Sequence, residues 1–207
     1  MSDHSRKRPF SMLRAYSLAD LFTLTNAGCG TVSLFLCLNY IAEDERRFLW
    51  IAFLLLPAAL VCDILDGLVA RGRRKSILGA DLDSLADIVS FGVAPAVMGF
   101  TLGLRGLWDM LILAYFVICG ISRLARFNVT AAELSDAAGK VRYFEGTPIP
   151  TSIFVVILLS IAFKLNQTGA EIWFGSFRLG PAMLHPFTLL YAASGSAMIS
   201  TIRIPKP

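Results

Sequence analysis

Six apolar blocks separated by short polar stretches organise the chain: residues 18–41, 48–70, 79–104, 107–125, 149–165 and 183–202. A helix needs roughly 20 residues, rising about 1.5 Å each, to cross about 30 Å of hydrocarbon. Each block has or approaches that length, so the pattern predicts an all-α polytopic membrane protein with six transmembrane helices. The second and third blocks meet the requirement only by including charged residues. The purely apolar part of the second block, residues 48–62, has only 15 residues, so a full crossing must continue through Asp63 and Asp66. The third block is purely apolar over only 17 residues, 88–104, and a full crossing draws in Asp83 and Asp87. Both helices then carry their acids near a membrane surface, on the same side. Nothing repeats internally, and six spans use nearly all of the length, so residues 1–207 read as one domain. Gly99 and Gly103, four apart, predict a close helix contact, either within the chain or with a second copy.

Composition supports this reading. Of the 207 residues, 56% are hydrophobic and 16% charged, against about 45–50% and about 25% in soluble domains. The net charge of +4 is unevenly spread. Fourteen Lys and Arg residues lie on the acid-bearing side, among them Arg71, Arg73, Arg74, Lys75, Arg123 and Arg126; five (Arg46, Arg47, Arg105, Lys164 and Arg178) lie opposite. Basic residues stay cytoplasmic, which predicts cytoplasmic termini and a cytoplasmic acidic site, with a prokaryotic inner membrane as the expected location. The basic residues flank the spans, so they suit anionic headgroups of the bilayer and give no stripe for nucleic acid. Cys29, Cys37, Cys62 and Cys119 all lie inside apolar blocks, without metal-ligand or disulfide spacing.

Candidate chemistry is concentrated between Cys62 and Pro95. At about 100° per residue, Asp63, Asp66, Gly67 and Ala70 share one helical face, and Gly79, Asp83 and Asp87 share one face of the next helix. The short basic turn between them makes the helices antiparallel neighbours, so four carboxylates converge at one depth. Uncompensated, they would repel strongly. Oxygen ligands without His or Cys favour hard cations, here two Mg²⁺ or Mn²⁺ ions, an arrangement suited to phosphoryl chemistry. Gly67 and Ala70 leave room for a phosphate or nucleotide, and Arg71 follows in position to pair with a phosphate. Two other readings remain: a solvated network of these acids with Arg71, Arg73, Arg74 and Lys75, and a divalent-cation transporter. Asp81, about 200° round the helix from Asp83, is set apart from the group.

The run Asp63-x2-Asp66-Gly67-x2-Ala70-Arg71, followed by Gly79-x3-Asp83-x3-Asp87, resembles the signature of the CDP-alcohol phosphotransferases. Thr23-Leu-Thr-Asn26, Ser90-Phe-Gly-Val-Ala-Pro95, Arg123-Leu-Ala-Arg126-Phe-Asn128 and Gly146-Thr-Pro-Ile-Pro150 resemble its phosphatidylserine synthase branch. The resemblance implies six membrane helices around a polar cavity open to the cytoplasm, and homodimers are common in the family. It implies that Asp63, Asp66, Asp83 and Asp87 hold two divalent ions, with Asp87 also the general base. Gly67, Ala70 and Arg71 would meet the CDP group, and Gly79 is a further substrate-binding position of the signature. The implied substrates are CDP-diacylglycerol and L-serine, with glycerol phosphate, inositol phosphate or choline as alternative acceptors.

Three further residues stand between structural and ligand roles. Asn26 fits an interhelical hydrogen bond or a substrate contact. Arg123 and Arg126, three apart at a cytoplasmic helix end, fit membrane anchors or ligands of a lipid phosphate or serine carboxylate. His4 and His185 offer no chemistry in this reading. Trp50, Trp108 and Trp173 read as an outer interfacial belt.

Overall fold

The computed structural model describes residues 18–70, 79–136, 143–201 and 203–205. Long apolar runs become long helices: α1 (Leu18–Glu43), α2 (Arg46–Ala70) and α5 (Leu107–Asp136). The third run is continuous but not uniform. It begins as α3 (Gly79–Asp87), passes through a π-helical segment (Ile88–Val93) and continues as α4 (Ala94–Thr101).

Among the described residues, four stretches are long and apolar enough to cross a membrane, by length and composition: Leu18–Glu43, Arg46–Val69, Gly79–Thr101 and Leu107–Val129. The chain is an integral membrane protein. The most apolar part of the third stretch is 61% buried, against 28% for each of the other three. That difference makes the third the central helix, enclosed by protein, while the others expose Leu21, Phe35, Leu54 and Ile118 outward, as a lipid-facing surface requires.

The fifth block keeps its expected bounds, 149–165, to within one residue, but falls short of the length of these four stretches. Helix α6 (Ile153–Lys164), with the 3₁₀ turn before it, spans only Ile149–Lys164. The sixth differs more. Its expected first residues, Met183 and Leu184, lie in β3 (Ala182–Leu184), which forms a hairpin with β2 (Phe177–Leu179) ahead of the block, and α7 covers only Leu189–Ile199 after one 3₁₀ turn. The strand β1 (Tyr143–Glu145) pairs antiparallel with β4 (Arg203–Pro205). The fourth helix runs to Asp136, well past the expected end at residue 125.

Helix α1 packs along α2 and also against α3, the π segment and α4; α7 packs on α5, and α6 on α2 and α4. Phe91, Phe116, Phe163, Phe187 and Tyr191 fill the shared core. Gly99 on α4 and Gly103 in the turn after it both make close contacts within the chain. A Cβ on Gly99 would lie 2.8 Å from the Tyr191 hydroxyl, and one on Gly103, at φ +124°, would lie 2.4 Å from the Gly169 backbone.

The end of the bundle where α5 begins is fastened by polar side chains. Asp109, fully buried in the first turn of α5, accepts hydrogen bonds from the Gly106 amide (2.8 Å), the His185 amide (2.9 Å) and the Thr188 hydroxyl (2.7 Å). It also pairs with His185 Nδ1 at 2.6 Å. The histidine passed over in sequence thus has a structural task, tying α7 to α5. Arg46 similarly donates to Asn166 Oδ1 and to the Phe163 carbonyl. Trp108 caps the hairpin through a 2.9 Å bond from Nε1 to the Leu179 carbonyl.

Candidate metal centre

Helices α2 and α3 bring the acids together at the end opposite these fastenings. One carboxylate oxygen each from Asp63, Asp83 and Asp87 lies within 4.8 Å of the others. Asp63 and Asp83 are half-buried and Asp87 is buried. Asp66 stands beside them on α2, buried, with one oxygen taken by the Thr23 hydroxyl from α1. Asp87 Oδ1 accepts a 3.1 Å bond from Asn26 Nδ2, also from α1. Asn26 is fully buried, and its side-chain oxygen has no partner among the described residues.

This arrangement fits hard divalent cations. The clustered donors are all carboxylate oxygens, and three of them lie close enough to share an ion. Gly67 is exposed one position after Asp66, and a Cβ there would meet nothing within 4 Å. Space for a ligand therefore adjoins the acids. Gly79 is half-buried at the start of α3 and Ala70 ends α2. Arg71 and the rest of the basic turn fall outside the described residues, as does the alternative network of the acids with Arg73, Arg74 and Lys75.

The two arginines of α5 differ. Arg123 is half-buried, within electrostatic range of Asp87 and over the Phe127 ring at 5.5 Å. Arg126 is exposed. Asp81 is exposed, with Asn128 Nδ2 at 3.5 Å, apart from the cluster as its angular position predicts.

Several residues around the acids carried no individual role in the sequence reading. Thr23 holds Asp66. Asn128 donates to the Ser84 hydroxyl at 3.0 Å, joining α5 to the turn that carries Asp83. Ser90 donates at 2.8 Å to the Asn26 carbonyl. Thr23, Ser90 and Asn128 all lie in motifs recognised in sequence, but their partners are in other helices.

Residues 16–191 match the family model for CDP-alcohol phosphatidyltransferase. The chain is 40% identical over 208 residues to a CDP-diacylglycerol–serine O-phosphatidyltransferase from Saccharomyces cerevisiae, covering 98% of this chain and 75% of that protein. A protein of the same description from Helicobacter pylori is 37% identical, over 92% of this chain and 72% of its own length. An archaetidylserine synthase from Methanothermobacter thermautotrophicus is 33% identical, over 68% of this chain and 56% of its own. No solved structure matches the chain.

Proposed function

The chain belongs to the CDP-alcohol phosphatidyltransferase family, and from that membership we propose that it makes phosphatidylserine from CDP-diacylglycerol and L-serine, releasing CMP. The observation that carries the reading is the convergence of Asp63, Asp83 and Asp87 at the end of two apolar helices. A lipid pyrophosphate, with its tails still in the bilayer, reaches such a site at headgroup depth. Serine as acceptor is supported by the relatives: serine is common to their names, whether the lipid is diacylglycerol-based or archaeal.

In this proposal Asp63, Asp66, Asp83 and Asp87 hold two divalent cations, Mg²⁺ or Mn²⁺. Bound there, the cations supply charge neutralisation at the pyrophosphate oxygens. Gly67, Ala70 and Gly79 let the CDP group approach the helices, and Arg71 pairs with a phosphate. The serine hydroxyl attacks the phosphorus bonded to diacylglycerol. A new P–O bond to serine forms as the bond to CMP breaks, and Asp87 takes the hydroxyl proton. Arg123, half-buried near Asp87, is better placed than exposed Arg126 to hold the serine carboxylate.

The two shorter C-terminal helices complete a six-helix bundle around a cavity open to the cytoplasm. At about 1.5 Å per residue, Ile149–Lys164 reaches about 24 Å, so its ends need extended flanks or a thinned bilayer. The test is release of CMP by the purified protein against a panel of acceptors, with and without Mn²⁺. Serine should be the preferred acceptor, and release should require the metal. Release driven equally by glycerol phosphate or inositol phosphate would overturn the assignment of the acceptor. Mn²⁺ flux into vesicles without CMP release would support a transporter instead.

A further inference from the structure

We propose that α1, which supplies none of the four signature acids, is the positioning element of the centre: Asn26 orients the Asp87 carboxylate and Thr23 orients that of Asp66. The inference rests on the reading of these acids as metal ligands. Thr23 and Asn26 lie three apart on one buried face of α1, 2% and 0% exposed. Each reaches a different helix, Thr23 to α2 and Asn26 to α3. A buried polar group is costly unless bonded, but a backbone carbonyl or another amide would satisfy that need equally well. Here Asn26 reaches Asp87 of the three-acid cluster, and Thr23, whose hydroxyl also lies 3.2 Å from the Ala19 carbonyl one turn back, reaches Asp66 beside that cluster.

The bond to Asp87 is fixed in direction and in place. A carboxylate only accepts, so the amide NH₂ of Asn26 must face it. The backbone of Asn26 is held in turn by the Ser90 hydroxyl, three residues beyond Asp87. One turn further along α1, Gly30 lets the two helices touch: a Cβ there would lie 2.8 Å from Ser90 Cα. The helix carrying Asp87 and the helix carrying Asn26 are thus held together within one turn of the bond. Each acid gives α1 one oxygen and keeps lone pairs for a cation. Partners of this kind, behind metal ligands, set ligand orientation, and their loss costs about ten- to a hundredfold in affinity or activity.

The test is Mn²⁺ binding to the purified full chain without either substrate, read from the paramagnetic signal of free Mn²⁺, beside thermal unfolding in chelator. Asn26→Ala and Thr23→Val should each weaken Mn²⁺ binding about ten- to a hundredfold. Thr23→Ser, which keeps the hydroxyl, should restore near wild-type binding, and unfolding in chelator should change little. Variants that bind Mn²⁺ as the wild type does would overturn the inference. So would Thr23→Ser failing to restore binding, or losses that merely follow a lowered unfolding temperature. If Asn26→Ala does not fold, the Thr23 pair decides. A wild-type protein that binds no Mn²⁺ overturns the metal reading itself, a failure visible before any substitution is made.

Discussion

At the scale of single residues, the acids differ in what they lose on substitution. Replacing Asp63, Asp66, Asp83 or Asp87 by Asn keeps the shape and removes the charge. Turnover should fall at least about a hundredfold in each case, while the protein still inserts, because removing like charges relieves repulsion in the cluster. Steady-state CMP release, with membrane yield as control, checks this; near-normal activity in two of the four would sink the two-metal arrangement. Arg123→Lys should raise the KM for serine about ten- to a hundredfold, the loss of one charge-assisted bond, and leave that for CDP-diacylglycerol nearly unchanged. Arg126→Lys should change both little. The gathering of Asp63, Asp83 and Asp87 was legible in sequence because offsets of three and four residues within a helix need only the helical period. The contacts of Thr23 with Asp66 and Asn26 with Asp87 were not, since they join positions 43 and 61 residues apart. They depend on how each helix is rotated about its axis, which one chain's periodicity does not state. The tie of His185 to Asp109 was hidden for the same reason: the two lie 76 residues apart.

At the scale of elements, the contact between α1 and the π segment is the tightest constraint near the site. Ala is favoured over Gly inside a helix by about 1 kcal/mol. Against that, a Cβ at Gly30 would lie 2.5 Å from Ser90 Oγ and 2.8 Å from Ser90 Cα. The hydroxyl could turn away, but the backbone atom cannot, and overpacking of this kind costs about 1–3 kcal/mol. The clash wins, so Gly30→Ala should lower the unfolding temperature in detergent and reduce activity by moving Ser90 off Asn26. Gly28→Ala is the control: a Cβ there meets nothing within 4 Å, so the variant should be as stable as the parent or more so. If both variants behave alike, the close approach does not govern the site. Hydropathy revealed the third helix as an apolar block but not its π segment, because the two kinds of turn bury the same residue types.

At the scale of the whole molecule, the ends differ. One is fastened by Asp109 with His185 and Thr188 and by Arg46 with Asn166; the other gathers the acids. Orientation is open to a direct check in a protein lacking its native cysteines. Ser76→Cys should react with an impermeant thiol reagent only from the cytoplasmic side, and Glu43→Cys only from outside. The reverse pattern would mean that the fourteen-to-five distribution of basic residues had misled. The apolar blocks were legible at this scale because bilayer thickness sets helix length. The β2–β3 hairpin was not: Met183 and Leu184 are as apolar as the helix they precede, and only the turn at Gly180, at φ +63°, marks the reversal.

The π segment also gives the third helix one residue of tolerance in length. A π turn is wider than an α turn, so Ile88–Val93 holds surplus chain that a regular helix would not need. Removing one residue there could leave both flanking helices intact. Phase would be kept: the residue lost is the one the wider turn had absorbed, so the face bearing Asp83 and Asp87 would hold its direction relative to the buried face of α4. A deletion in the regular turns of α3 or α4 would instead swing the acids about 100° from that face, away from Asp63.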